Sequence, residues 1–115
     1  MSLVQEFNEN RSRLNEKVLA TNDKVIKRIF SIDSFAFNEG TLDAKSKELI
    51  GLTCSLVLRC DDCVKYHLGK AQEVGLGKEE ITEAMSISTL IGGTIVIPHL
   101  RRAIEYLDEL FEVNE

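Results

Sequence analysis

The sequence predicts an all-α fold, a compact domain of about six helices. Apolar residues recur at helical intervals along almost the whole chain, and no convincing strand pair or hairpin turn interrupts them. At 115 residues the chain has the length of one domain, and its composition, 43% hydrophobic and 29% charged, is that of a globular protein.

The first three helices are delimited by polar and glycine-containing segments. They are predicted over about residues 2–19, over about residues 23–36, and from an N-cap at Asp43 to about Leu58, with a break at residues 38–40. The apolar residues of the second helix are expected to face inward: Val25, Ile26, Ile29, Phe30 and Phe35.

The second half of the chain continues the helical pattern. A fourth helix begins near Cys60 and ends at Gly75, and a long helical region follows over about residues 78–112. Pro98 lacks a backbone donor, so a kink or break is expected nearby. The glycine pair at residues 92–93 has two interpretations, close helix packing or close approach of the backbone to a site.

Two helical segments are apolar on nearly every side, residues 49–58 and residues 84–97. Such helices need burial all round, and a domain of this size buries only about two-thirds of its chain surface. We therefore expect a homo-oligomer.

Charge and hydropathy exclude several classes of function. The net charge of −5, with basic residues scattered among acids, argues against nucleic-acid binding. The longest apolar runs, such as residues 95–97, are far too short to span a bilayer. The N-terminus lacks the basic and apolar pattern of a signal peptide, so the sequence predicts a cytoplasmic protein with no membrane role.

The cysteines are the first indication of chemistry. Their number, three, is odd, which argues against a purely structural disulfide framework. Cys60 and Cys63 fall in the first turn of the fourth helix, where the helix dipole and free N–H groups favour a thiolate. Redox chemistry, half of a metal site and inert packing all remain open for this pair. Cys54 stands alone in an apolar helix and is expected to be buried.

A histidine and a glutamate stand in register with this pair. His67 lies one helical turn after Cys63, where it could exchange a proton with the thiol. If helices three and four are antiparallel, Glu48 lies roughly 16 Å and His67 roughly 12 Å from the joint, at similar heights. Glu48 is then either a partner of His67 or a solvated helix residue.

The combined spacing resembles a known family. Glu48, an eleven-residue interval, Cys60-Asp-Asp-Cys63, three residues and His67 match the signature of alkylhydroperoxidase D-like proteins, within the carboxymuconolactone decarboxylase superfamily. The match places residues 1–38 as N-terminal helices and the family motif in residues 40–112 of one domain spanning residues 1–115.

The resemblance implies an all-helical subunit that assembles as trimers or hexamers and acts as an antioxidant thiol peroxidase or disulfide oxidoreductase without a cofactor. Cys63 would attack the hydroperoxide or disulfide substrate, and Cys60 would resolve the product. His67, linked through water to Glu48, would relay the proton. An external dithiol, either a lipoyl group or a thioredoxin-like protein, would reduce the resulting disulfide.

One feature departs from the family pattern. Asp61 and Asp62 stand between the cysteines, where some family members have a histidine, and two carboxylates there should oppose thiolate formation.

Two alternatives compete with the redox hypothesis. One is the lactone decarboxylation that names the superfamily, which does not need a cysteine pair. The other is a non-catalytic metal site built from Cys60, Cys63 and His67, with or without Glu48.

Overall fold

The computed structural model describes residues 2–113. These residues form six α-helices and one 3-10 turn, with connecting segments between them, and they include no strand. The all-α prediction is confirmed. No helix in this range has both the length and the apolar character that a bilayer crossing requires. The helices are α1 (Leu3–Leu19), α2 (Lys24–Ala36), α3 (Ala44–Val57), α4 (Asp61–Glu73), α5 (Lys78–Gly92) and α6 (Ile97–Val113).

Side-chain caps explain why the first helices begin where they do. Ser2, Asp23 and Asp43 each accept hydrogen bonds from backbone N–H groups in the first turn of α1, α2 and α3, respectively. The tight turn from α3 to α4 depends on Arg59, whose φ of 61° lies in the left-handed region. This turn lets the Cys60 N–H donate to the Ser55 carbonyl at 3.1 Å, so the cysteine pair directly follows the end of α3.

The break expected near Pro98 is present, but Pro98 itself kinks no helix, because it is the second residue of α6 rather than an interior one. In the first turn a missing donor costs nothing. The break lies earlier, at Gly93, whose φ of 85° ends α5 before the 3-10 turn Thr94–Val96. A Cβ on Gly92 would collide with the Val96 side chain, which favours the packing interpretation of this glycine.

The hydrophobic core lies between α3, α4, α5 and α6. Helix α4 packs between α3 and α6, and α3 packs on its other side against α5. The core residues are Leu52, Leu56, Val64, Leu68, Ala71, Leu76, Ile81, Met85, Val96, Ala103, Tyr106, Leu107 and Leu110.

Helix α1 is attached to α6 through its first two turns. The carboxylate of Glu109 accepts hydrogen bonds from the backbone N–H groups of Leu3 at 3.1 Å and Val4 at 3.0 Å. The Phe7 ring packs edge-on against the Tyr106 ring, with centroids 5.9 Å apart. No residue of α1 is buried, so these contacts at its N-terminal end hold the helix in place.

The prediction that the apolar residues of α2 face inward is wrong within the single chain for three of the five; Ile26 and Phe30 are half-buried. Helix α2 has no buried residue; Val25, Ile29 and Phe35 are exposed, and Phe35 is 77% accessible. Periodicity identified an apolar face, but α2 lies at the edge of the fold with α1 as its main neighbour. The two segments expected to need burial on all sides also leave apolar residues exposed: Ile50, Leu58, Ile87, Leu90, Ile91 and Ile95.

Candidate active site

The cysteine pair lies at the N-terminus of α4, as its position in the sequence predicted. Cys60 is the N-cap residue, and its sulfur accepts a hydrogen bond from the Cys63 N–H at 3.3 Å. Cys60 and Cys63 are joined by a disulfide, with Cα atoms 5.3 Å apart. Cys60 is half-buried and Cys63 is exposed, so Cys63 offers the more accessible sulfur.

Glu48 and His67 form a direct, buried pair. The antiparallel packing of α3 on α4 brings His67 Nδ1 to 2.9 Å from Glu48 Oε1. Glu48 is 6% and His67 9% exposed, so this is a desolvated contact rather than a surface ion pair. The expected linkage through water is therefore wrong. The two side chains touch because they lie at matching heights on adjacent helices.

Gly51 creates the space for the histidine ring. A Cβ at Gly51 would lie 2.6 Å from His67 Cε1 and 2.9 Å from Nδ1, well inside contact distance. Any larger residue here would displace the ring from Glu48. Sequence reasoning missed Gly51, although a single glycine inside an apolar helix, three residues after Glu48, is a signal for close approach.

Two aromatic rings enclose the imidazole. The Phe37 ring, from the segment after α2, lies 5.1 Å from the His67 ring between centroids, and the Tyr66 ring lies 5.2 Å from it. Arg11 of α1 stacks on the outer side of Tyr66, with its guanidinium carbon 4.0 Å from the ring centroid. Phe37 could not be identified from the sequence, because it lies outside the motif, in the segment that follows α2.

A cleft of about 540 Å³ lies between α1 and α4 and opens over Cys63. Cys63 and His67 both line it, whereas Glu48 is not among its lining residues. The cleft gives a small molecule access to the exposed sulfur and to the imidazole together. The other lining residues are Leu3, Glu6, Phe7, Asn10, Arg11, Leu14, Asn15, Asp33, Asp62, Lys65 and Tyr66.

The two aspartates between the cysteines differ in their surroundings. Asp61 faces α6, where His99 Nδ1 lies 2.8 Å from its Oδ1 and Arg102 Nε lies 2.8 Å from its Oδ2. Partial burial raises the pKa of Asp61, but the hydrogen bonds from His99 and Arg102 outweigh it and hold the pKa below its usual range. Asp62 is exposed and lines the cleft. The two carboxylates therefore do not act on the sulfurs equally.

Cys54 is exposed, so the prediction that it is buried is wrong. Helix α3 packs against α4 and α5, which leaves a third face open. Ile50 and Leu58, one turn to either side of Cys54, are exposed on that face as well. A segment that is apolar on every side does not reveal which face the chain itself covers.

Residues 2–113 contain no group of three or more His, Cys, Asp or Glu side chains that could hold a metal ion. The alternative of a metal site at the cysteines therefore lacks a donor set in this geometry. Instead the fold brings together a disulfide, a buried histidine–carboxylate pair and an open cleft, which is an arrangement for thiol chemistry with proton transfer.

The sequence is similar to one protein family and to two uncharacterised bacterial proteins. Residues 23–106 match the model of the carboxymuconolactone decarboxylase family. An uncharacterised protein of Cupriavidus necator is 32% identical over 75 residues, covering 65% of this chain and 66% of the relative. Uncharacterised protein 4 of the cox locus of Paracoccus denitrificans is 28% identical over 80 residues, covering 70% and 72%.

Solved structures agree with the fold. A Thermotoga maritima protein is 51% identical, with a TM-score of 0.93 and 96% of each chain covered. A second structure of that protein, at 50% identity and a TM-score of 0.90, covers 95% of this chain and 92% of the other. It is described as a carboxymuconolactone decarboxylase family protein, with a suggested involvement in the antioxidative response. A family protein of Legionella pneumophila, 20% identical with a TM-score of 0.84 over 93% and 96% of the chains, shares the fold.

Proposed function

Because this chain belongs to the carboxymuconolactone decarboxylase family, we propose that it is a thiol-dependent hydroperoxidase and disulfide oxidoreductase with an antioxidant role. The observation that carries the proposal is the position of Cys63. Its exposed sulfur is disulfide-bonded to Cys60 and lines the same cleft as His67, whose ring is fixed by buried Glu48. The description of the Thermotoga maritima relative agrees with this class of function.

The first step is attack by Cys63 on the substrate. The thiolate, favoured by the N-terminus of α4, attacks the terminal peroxide oxygen; the O–O bond breaks and Cys63 becomes a sulfenic acid. The released alkoxide takes a proton and leaves as an alcohol. Since a carboxylate oxygen only accepts, the Nδ1–H of His67 donates a hydrogen bond to Glu48. Nε2 is then the ring nitrogen that takes the thiol proton of Cys63 and delivers it to the alkoxide.

Resolution and reduction complete the cycle. The Cys60 sulfur attacks the sulfenic sulfur of Cys63, a disulfide forms and water leaves. An external dithiol then reduces this disulfide by two exchange steps and becomes a disulfide itself. A lipoyl group or a thioredoxin-like protein supplies such a dithiol, and the cytoplasm keeps it reduced, so we place the protein there.

Turnover with matched cysteine variants tests the proposal. The assay follows consumption of an organic hydroperoxide with dihydrolipoamide as reductant. Cys63→Ser should abolish turnover, and Cys60→Ser should allow a single oxidation that leaves a sulfenic acid, trapped by dimedone at Cys63. Cys54→Ser is the control, because Cys54 lies on another helix and should leave turnover unchanged.

Two results would count against the proposal. Wild-type turnover in Cys63→Ser would remove the assigned nucleophile. Decarboxylation of carboxymuconolactone that persists in a Cys60→Ser/Cys63→Ser double variant would instead support the lyase activity that names the family.

We further propose that the chain assembles with copies of itself through α2 and α5. An isolated helix of 13 residues is marginally stable in water, yet α2 has no fully buried residue within the chain. Exposed apolar residues follow its outer face at helical intervals, namely Val25, Ile29 and Ile32. Helix α5 presents a similar exposed set at Ile87, Leu90 and Ile91.

Charge gives this pairing a direction. Lys24 and Arg28 lie in the N-terminal part of α2, and Glu79 and Glu83 lie in the N-terminal part of α5. A parallel contact between α2 of one copy and α5 of the next places opposite charges together and apolar residues together. Because the two surfaces differ, the contact is head-to-tail, and it gives a ring when the rotation between successive copies closes; we propose a trimer or a pair of trimers.

Sedimentation tests the assembly. Arg28→Glu should shift the protein toward the monomer, and adding Glu83→Arg should restore assembly by reversing both charges. A wild-type chain that sediments as a monomer at micromolar concentration would refute the proposal.

A further inference from the structure

A charge cluster on the far side of the cysteine pair has no part in the mechanism above. It joins Asp61 of α4 to His99 and Arg102 of α6, across sequence separations of 38 and 41 residues. Arg102 contacts Asp61 Oδ2 through Nε, while Arg102 Nη2 lies 3.1 Å from His99 Nδ1. Asp61 directly follows Cys60 and lies within the disulfide loop, so any charge on it acts on both sulfurs.

We propose that Arg102 is a positioning residue for the redox site, which it serves through Asp61. Its guanidinium holds the Asp61 carboxylate against α6 and cancels the charge of that carboxylate, so that the Cys63 thiolate forms despite an acid inside the motif. The inference deepens the proposed thiol function, but it concerns the reactivity of the sulfur and can be tested without a peroxide.

Charged side chains from several helices surround the cysteines. On α4 itself these are Asp61, Asp62, Lys65 and His67; Glu48 approaches from α3, Glu6 and Arg11 approach from α1, and Asp33 approaches from α2. Asp61 is the acid among them that is bound by an arginine. Its low pKa, set by His99 and Arg102 against partial burial, keeps the carboxylate ionised at neutral pH.

Removing the charge of Arg102 and removing the charge of Asp61 should therefore have opposite effects on the stability of the Cys63 thiolate. Arg102→Gln leaves the Asp61 charge unbalanced beside the sulfurs and disfavours the thiolate. Asp61→Asn leaves the Arg102 charge unbalanced and favours the thiolate. In the double variant both charges are gone, and the reactivity of Cys63 should return close to its starting value.

The measurement is the alkylation rate of Cys63 by iodoacetamide at pH 7, in the full chain carrying Cys54→Ser and Cys60→Ser. Serine is a strong N-cap, so it can replace Cys60 at the start of α4. Arg102→Gln should slow alkylation about two- to fivefold, since the Coulomb effect on the thiolate is partly offset by its higher nucleophilicity. Salt at 0.5 M should shrink this ratio.

If the contact between Asp61 and Arg102 had only a structural role, a different result would be expected. Arg102→Gln and Asp61→Asn would then both slow alkylation, and the double variant would be no faster than either. That outcome, or a salt-independent ratio, would overturn the proposal, and it would do so even if the hydroperoxidase activity were established. Circular dichroism of each variant identifies loss of fold as a separate cause.

Discussion

Replacing Gly51 by alanine gives the sharpest test of how the buried pair is held. The new Cβ would lie 2.6 Å from Cε1 and 2.9 Å from Nδ1 of His67, distances that real Cβ atoms essentially never show. The ring is enclosed by Phe37 and Tyr66 and cannot move far without breaking its contact with Glu48. The substitution should therefore separate Glu48 from His67.

The expected magnitude follows from opposing effects. Alanine gains about 1 kcal/mol over glycine in a helix interior. Overpacking costs about 1–3 kcal/mol, and loss of a buried hydrogen bond to a charged group costs about 1.5–3 kcal/mol. Gly51→Ala should therefore lower the free energy of unfolding by about 1.5–5 kcal/mol. Turnover should fall about a hundredfold, the lower range for loss of a general acid–base group.

Gly69 provides a matched control in the same domain. It lies inside α4, and a Cβ there would meet no atom within 4 Å. Gly69→Ala should raise the free energy of unfolding by up to about 1 kcal/mol and leave turnover unchanged. Both variants are measured by urea denaturation and by the hydroperoxide assay.

A third variant separates the ring clash from any other cause. In a His67→Ala background the ring is absent, so Gly51→Ala should lose its penalty and become as stabilising as Gly69→Ala. The explanation fails if Gly51→Ala is as stable and active as Gly69→Ala in the wild-type background. It also fails if the penalty persists without the His67 ring.

Three further predictions concern other parts of the fold. The N–H of Val4 and further hydrogen bonds lower the pKa of Glu109. The stabilisation that the Glu109 carboxylate provides is therefore present above the pKa of the unfolded chain and is lost as pH falls through the pKa of the folded chain. Glu109→Gln should flatten the decline of Tm between pH 5 and 3. Burial raises the pKa of Tyr106 to about 12, so the stability that the neutral phenol contributes is complete below pH 10 and is lost as pH rises toward 12. In an alkaline titration followed at 295 nm, Tyr106→Phe should remove the late phase of phenolate absorbance, and a late phase that persists would contradict this. Phe37→Ala should open the buried side of His67 to water and lower turnover severalfold, while Phe37→Leu, which keeps an apolar cover, should retain most of it.

The order of helices and the central pair could be predicted from local signals. Asp43 caps α3, and the four-residue step from Cys63 to His67 is fixed by helix geometry. An antiparallel α3–α4 pair then brings Glu48 to the height of His67, and a direct contact at 2.9 Å results. Only the water expected between them was wrong, because burial of both groups leaves the carboxylate oxygen and the ring nitrogen in direct contact.

Other features depend on contacts that no local pattern contains. The partners of Asp61 come from α6, and the direction in which α4 presents that carboxylate decides whether it acts on the sulfurs or on Arg102. Phe37 reaches His67 from a segment whose own helix is exposed. The apolar faces around Cys54 and along α2 show the same limit, because periodicity reports which face avoids water and not what covers it.

The two sides of the cleft differ in how firmly the chain holds them, and this difference suits the proposed chemistry. His67 and Glu48 lie in the core layer between α3 and α4, where packing fixes their geometry. The opposite wall comes from α1 and includes Asp33 of α2, two helices without a buried residue. Helices that bury so little open at low free-energy cost. A proton-transfer pair must keep one geometry through every step, and the packed α3–α4 side meets that requirement. The wall must admit a substrate and later a bulky dithiol, and α1, which is attached to α6 through its first two turns, meets this second requirement.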